Sequence, residues 1–210
     1  MADNNYKADG RVVVGLSHPV VAKYNAPGGL ENGYTDGRIL ARLESYDINI
    51  TTAGDNNTLR LNNVVAEDAG AVMTSGKLTL VTDHPLPETE DYIYGQPAVR
   101  TLSVGGKTYH YSGMSTEHNP PTLGVGVIVK FICNGVFSFA PTIFAKCTFH
   151  QGGDSAKTQG EQIDYQLRTF DISLARDDTD THEWRYNIRD YFATESEAIE
   201  CLHAIMKVAD

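Results

Sequence analysis

Residues 125–149 read VGVIVKFICNGVFSFAPTIFAKCTF. Two runs rich in β-branched and aromatic residues, Val125 to Cys133 and Val136 to Ala140, flank Asn134-Gly135. Asn-Gly suits the two-residue primed turn, where both central residues take positive φ, so the segment predicts a hairpin. Ile143 to Phe149 carries the second strand past Pro141, which has no N–H to give a ladder and belongs at a bulge or an edge. The same grammar recurs outward. Thr101 to Val104 and Lys107 to Tyr111 flank Gly105-Gly106, a second hairpin signal.

Ile39, Ala41 and Leu43 alternate with polar partners, then Tyr46, Ile48 and Ile50 alternate one step out of phase, which predicts a bulge near Glu44–Ser45. Thr51 to Asn57 is a turn cluster (TTAGDNN) that predicts a long hairpin from this strand to one centred on Leu59 and Leu61. Met73 to Thr82, Gln162 to Ala175 and Glu183 to Ile188 complete the strands, the last two joined by an acidic turn at Asp177–Asp180. About nine strands predict a mainly β fold, a β-sandwich or barrel.

Two helices interrupt the strands. Pro87 to Tyr94 is short, acidic in its first turn, and followed by Gly95 as a C-terminal cap. Thr194-Glu195-Ser196-Glu197 is a capping box, and Ala198, Ile199, Leu202, Ile205 and Met206 then share one face, which predicts a C-terminal helix packed on its own sheet, with a neighbouring subunit as the alternative. Residues 1–36, rich in Gly and Asn, read as an arm with one pairing segment, Arg11 to Leu16; residues 37–210 read as one domain that includes the C-terminal helix.

The chain has 210 residues, 41% hydrophobic and 21% charged, which excludes the composition of a disordered protein. Its net charge of −10 divides evenly about Gly105, with 8 basic and 13 acidic residues before it and 9 and 14 after it. That balance argues against wrapping duplex DNA, which needs clustered cations. The longest apolar run, Val125 to Cys133, is too short for a membrane span, and Met1 to Gly10 is too polar for a signal peptide. Cys133, Cys147 and Cys201 are an odd, widely spaced set that suggests no disulfide framework, so folding in a cytoplasm is expected.

Chemical motifs fail on context. Gly15-Leu16-Ser17-His18-Pro19 has Pro where a nucleophile elbow needs Gly. Gly124-Val125-Gly126 lacks the third Gly and the helix that bind a pyrophosphate; strand glycines that let another backbone come close explain it better. Thr74-Ser75-Gly76-Lys77 has no phosphate-cradling loop. Cys147 and His150 point to opposite faces of a strand, and Asp178-Thr179-Asp180 lacks the rest of a calcium loop. No catalytic, cofactor-binding or metal-ligating set is assigned, and the expectation is a structural protein rather than an enzyme.

One segment points to a family. Ala145-Lys146-Cys147-Thr148-Phe149-His150, followed by Ala156-Lys157-Thr158-Gln159-Gly160-Glu161-Gln162-Ile163-Asp164-Tyr165-Gln166, resembles the major tail protein of long-tailed phages, in particular the phi13-type tail tube family. Gly76 to Val81 with the short helix to Gly95, and the Asn134-Gly135 hairpin, fall in the same order as in that family; the similarity covers roughly residues 38–184. The segment from Pro97 to Pro121 departs from it.

The resemblance implies a β-sandwich with a flanking helix that polymerises as stacked, hexameric rings around a lumen. Its partners would be other copies of itself, a tape-measure protein, and the tail terminator and distal tail proteins. DNA would pass without specific binding, and the protein would reside in the virion tail after assembly in the host cytoplasm. Thr51, Thr52, Asp55, Asn56, Asn57 and Leu59 are the candidate stacking loop; Ala156, Lys157, Thr158, Gly160 and Glu161 form the candidate motif loop. Lys130 and Lys146 are expected to pair with acids or face a neighbour, because cations in the lumen would hold DNA. The alternative is a β-sandwich binding module of a tail tip or capsid decoration, recognising a glycan or protein through exposed aromatics.

Overall fold

The computed structural model describes residues 10–53, 58–61, 64–68, 72–96, 99–115, 117, 119–152, 156–158 and 165–209. The elements in chain order are β1 (Val12–Tyr24), β2 (Tyr34–Ile39), β3 (Leu43–Ala53), β4 (Thr58–Leu61), β5 (Val64–Asp68), β6 (Val72–Thr82), α1 (Pro87–Tyr94), β7 (Arg100–Val104), β8 (Lys107–Tyr111), β9 (Thr122–Cys133), β10 (Val136–Phe149), β11 (Arg168–Ala175), β12 (Arg185–Asn187) and α2 (Glu195–Met206). The fold is mainly β with two helices, as expected.

One antiparallel sheet runs β2-β1-β9-β10-β11-β6-β3, and β12 pairs with the middle of β10. The sheet curls until β1 and β3 touch, so its two halves serve as the layers enclosing a common core. Val21, Leu78, Leu80, Val125, Phe144, Phe149 and Phe170 lie inside that core, with Leu16 and Tyr46 packed against it. The ladder does not close into a barrel; β2 and β3 remain its edges.

The Asn134-Gly135 turn joins β9 to β10 with φ of 50° and 81°, the primed geometry the dipeptide favours. The bulge in β3 appears as a register shift between Leu43 and Ser45. Pro141 sits where β10 meets the short β12 and the segment beyond it; the bulge of β10 itself comes later, between Phe144 and Cys147.

Three expectations are corrected. The partner of β3 is β6 rather than the strand at Leu59, because β4 and β5 pair with each other as a separate two-stranded ribbon inserted between them. The pairing segment expected at Arg11 to Leu16 is only part of a longer strand. That strand runs from Val12 to Tyr24, buries Val20, Val21 and Ala22 completely, and pairs with β2 on one side and β9 on the other. Ser17-His18-Pro19 hid the continuity in the sequence; it is absorbed by a register shift with His18 at φ 53°. The strand glycines of β9 make room for side chains rather than backbone: a Cβ on Gly124 would stand 2.1 Å from the Tyr34 ring, and one on Gly126 2.5 Å from Leu202.

Helix α2 covers the outer face of β1, β2, β9 and β10 through Ala198, Leu202 and Met206, all wholly buried with Val20, Tyr34, Ile128 and Ile143. Burying the Leu and Met side chains contributes roughly 1.5–3 kcal/mol each. Its first turn is held by the predicted capping box: the Thr194 hydroxyl accepts from the Glu197 N–H, and the Glu197 carboxylate accepts from the Thr194 N–H. Helix α1 ends at Gly95, φ 62°, whose N–H bonds back to the last turn.

Candidate contact surfaces at the two ends of the sheet

The registers set several loops at one of two ends of the sheet. Thr122 of β9 pairs with Thr148 of β10, and Cys133 with Val136. Through β11 and β6 the ladder continues to β3, where Leu43 pairs with Thr82 and Ala53 with Val72. At the first end lie the connection between β1 and β2, helix α1, the base of the β7–β8 ribbon, and the loop between β10 and β11. At the second lie the start of β1, the Asn134-Gly135 turn, and the tip of the β3–β6 hairpin that carries β4 and β5.

The two candidate loops therefore stand at opposite ends. Thr51 and Thr52 are exposed near the end of β3, and the Thr51 carbonyl accepts from the Thr74 hydroxyl at 3.1 Å. Leu59 pairs with Glu67 in the β4–β5 ribbon; Asp55, Asn56 and Asn57 lie outside the described residues. At the first end Ala156, Lys157 and Thr158 are exposed, while Gly160 and Glu161 lie outside the described residues. The Gln166 side chain braces this loop: its Oε1 accepts from the Lys157 N–H at 2.9 Å, and its Nε2 donates to the Lys157 carbonyl at 3.0 Å. The motif's Gln is thus a clasp across its loop.

The motif lysine is engaged as well. Lys146 Nζ donates to both carboxylate oxygens of Asp178, at 2.9 and 2.8 Å, and that bond holds the Asp178 carboxyl below its ordinary range. The Tyr24 hydroxyl joins the cluster, donating to the Pro27 carbonyl at 2.7 Å. Lys130 takes a different course: its ammonium lies 4.2 Å from the Phe137 ring centroid, and no carboxylate pairs with it among the described residues. The acidic turn is only partly solvated. Asp177 is buried and accepts from the Thr179 and Glu183 N–H groups, the Thr179 hydroxyl and the Tyr186 hydroxyl, which makes it the organiser of the turn.

Cys147 is buried and its thiol pKa is pushed up by that burial, away from nucleophilic use. His150 is exposed on the other side and bonds Ser173 at 2.6 Å. The three cysteines are unpaired. Among the described residues no three His, Cys, Asp or Glu side chains gather to hold a metal, and no helix is long and apolar enough to cross a membrane.

Sequence reasoning missed two surfaces. The β7–β8 ribbon is exposed on every residue of both strands, and the start of β1 exposes Val12, Val13 and Val14 beside Val136 and Phe137. The signal for the ribbon was present: Leu102 and Val104 alternate on one strand, Tyr109 and Tyr111 on the other.

No family model matches the chain. No curated protein matches it either.

Proposed function

We propose that this protein is a structural subunit that assembles with copies of itself, the major tail tube protein of a long-tailed phage. In this reading it forms stacked, hexameric rings around a channel for DNA, in company with a tape-measure protein and with terminator and distal tail proteins. One observation carries the reading: the two candidate contact loops stand at opposite ends of a single continuous sheet. A subunit with different surfaces at its two ends can repeat head to tail, and such a contact closes into a ring where its rotation permits and otherwise propagates as a filament. The resemblance of residues 145–166 to the tail tube family supplies the assignment within that class.

The test is direct. Purified protein is concentrated and followed by light scattering and negative-stain microscopy. Rings about six subunits around, and tubes with or without a tape-measure partner, are the expected result. A 23 kDa monomer at every concentration, with no tubes when the partner is supplied, overturns the reading.

A second reading has an observation of its own. Tyr109 and Tyr111 stand half-exposed on one face of the β7–β8 ribbon, as they would in a binding module that stacks on a sugar. Glycan-array binding by a protein that stays monomeric is the outcome that favours it.

A further inference from the structure

The curled sheet stays open because β2 pairs only with residues 20–24 of β1, which leaves the first half of β1 unpaired on that side. A cavity of about 540 Å³ opens there onto the inner face of the sheet. Val13 reaches it from β1, Tyr46 from β3, and Val129, Phe131 and Ala140 from β9 and β10. The registers put the strand residues on one face: Val13 stands opposite Phe131 and Val129 opposite Ala140, and Val129 belongs to the core that holds Phe144. The cavity is therefore the place where that core reaches water. Its volume suits a small molecule, and the mouths of curled sheets are common places for such sites.

The charge in it is all of one sign. Arg185 and Arg189 line the cavity, and so does Tyr191, whose ring centroid lies 3.8 Å from the Arg11 guanidinium. No Asp or Glu among the described residues lines it. In a chain of net charge −10, Lys23, Arg38, Arg42, Lys77, Lys146 and Arg168 pair with carboxylates, whereas these three arginines make no ion pair among the described residues. Asp190, next to Arg189 in sequence, acts on the other side of the sheet: the Cys201 thiol of α2 is raised by burial first and by the Asp190 charge second.

Arg185 is held in place for an anion. It stands opposite Phe144, and Asn187 opposite Thr142, so both β12 side chains share the inner face. Its Nε donates to Asn187 Oδ1 at 2.8 Å, and the same oxygen accepts from the Thr142 hydroxyl at 3.3 Å. The two terminal nitrogens make no hydrogen bond among the described residues. A guanidinium fixed by its Nε presents those two nitrogens as a planar fork, the shape that matches a carboxylate.

We propose that this cavity binds a small organic carboxylate carried on an aromatic or branched apolar body. Arg185 takes the carboxylate end-on, Arg189 adds charge, and the body lies against Val129, Phe131, Ala140 and Tyr46. The site belongs to a single subunit and does not depend on ring assembly.

The experiment is isothermal titration calorimetry of the full chain with naphthoate, beside naphthalenemethanol as a neutral body of similar shape. One site per chain is expected, with the carboxylate bound about tenfold or more tighter than the alcohol and weakened by salt. Arg185→Gln with Arg189→Gln brings naphthoate down to the level of the alcohol. Val13→Trp, at an exposed position, fills the cavity and weakens both ligands. Lys130→Gln removes a cation from the opposite face of β9 and changes neither. Circular dichroism checks that the variants fold; if the double-arginine variant does not, the naphthoate-to-alcohol ratio of the parent and the loss in Val13→Trp decide. The proposal is overturned if the parent binds no naphthoate, if the alcohol binds equally well, or if the folded variants bind like the parent.

Discussion

The hairpin β9–β10 and the hairpin β7–β8 are built to the same local plan and meet opposite fates. Each turns through two residues at positive φ, Asn134-Gly135 in one and Gly105-Gly106 in the other. Each is flanked by strands in which apolar and aromatic residues recur. Yet β9 and β10 bury Val125, Val127, Phe144 and Phe149 completely, whereas β7 and β8 bury nothing. Turn chemistry and alternation decide that a ribbon forms. Length, and the presence of apolar residues on both faces, decide whether other elements close over it. Both faces of β9 are covered, one by the core and the other by α2.

The sharpest way to break the comparison is to delete a ring from each hairpin. Phe144→Ala empties a fully buried site touched by the Tyr46 ring at 5.6 Å, and should cost roughly 3–5 kcal/mol in urea unfolding. Leu102→Ala should change global stability by no more than about 0.5 kcal/mol, since the side chain is 52% exposed. Equal losses at the two sites would mean that the ribbon is part of the cooperative core after all.

The glycines give the next largest contrast. Gly124→Ala drives a methyl group into the Tyr34 ring and should cost about 1–3 kcal/mol, as overpacking does. Gly105→Ala meets open space, and its only cost is the left-handed backbone at φ 59°, about 1–2 kcal/mol. That cost should appear as faster amide exchange within β7–β8, with the urea midpoint unchanged. A lowered urea midpoint for Gly105→Ala refutes the ribbon's independence.

These cases also mark what was legible in the sequence. Features governed by a few neighbouring residues were readable: both turns, the β3 bulge, the α1 stop at Gly95 and the Thr194–Glu197 cap. Features governed by distant partners were not. The partner of β3 lies beyond the β4–β5 insertion, so the nearest apolar pair, Leu59 and Leu61, drew the pairing to itself. The reason for Gly124 and Gly126 lies in Tyr34 and Leu202, far away along the chain in either direction, and no local pattern encodes it. Of the candidate contact residues, the sequence supplied the loops, but their placement at opposite ends required the ladder registers.

A smaller effect tests how much α2 owes to its own sequence. Thr194→Ala removes the hydroxyl that accepts from the Glu197 N–H and should cost about 1 kcal/mol. The loss is to be read in urea unfolding beside Phe144→Ala. A loss as large as that of the core variant would mean that α2 nucleates the outer layer.

The smallest effect is a pH dependence at the seam between β1 and α2. His18 Nε2 lies 2.7 Å from His203 Nε2, a bond in which one imidazole must donate and the other accept. Burial first, and the nearby His203 second, hold His18 below the ordinary histidine value, while Glu195 pulls the other way. Glu195 also accepts from the Ser17 hydroxyl, and Glu200 lines the same surface cavity as His203. Because the folded pKa lies under the unfolded value of 6.5, the unfolded chain takes up the proton first as pH falls. The contribution is therefore complete above that value and is lost as pH drops through the folded one. Asp36, Asp83 and Asp178 are held below their ordinary values by Lys23, Arg42 and Lys146, so they stay charged while the histidine titrates. Urea midpoints at pH 7, 6 and 5 should fall more steeply for the parent chain than for His18→Gln. Parallel slopes would show that the loss on acidification comes from elsewhere in the molecule.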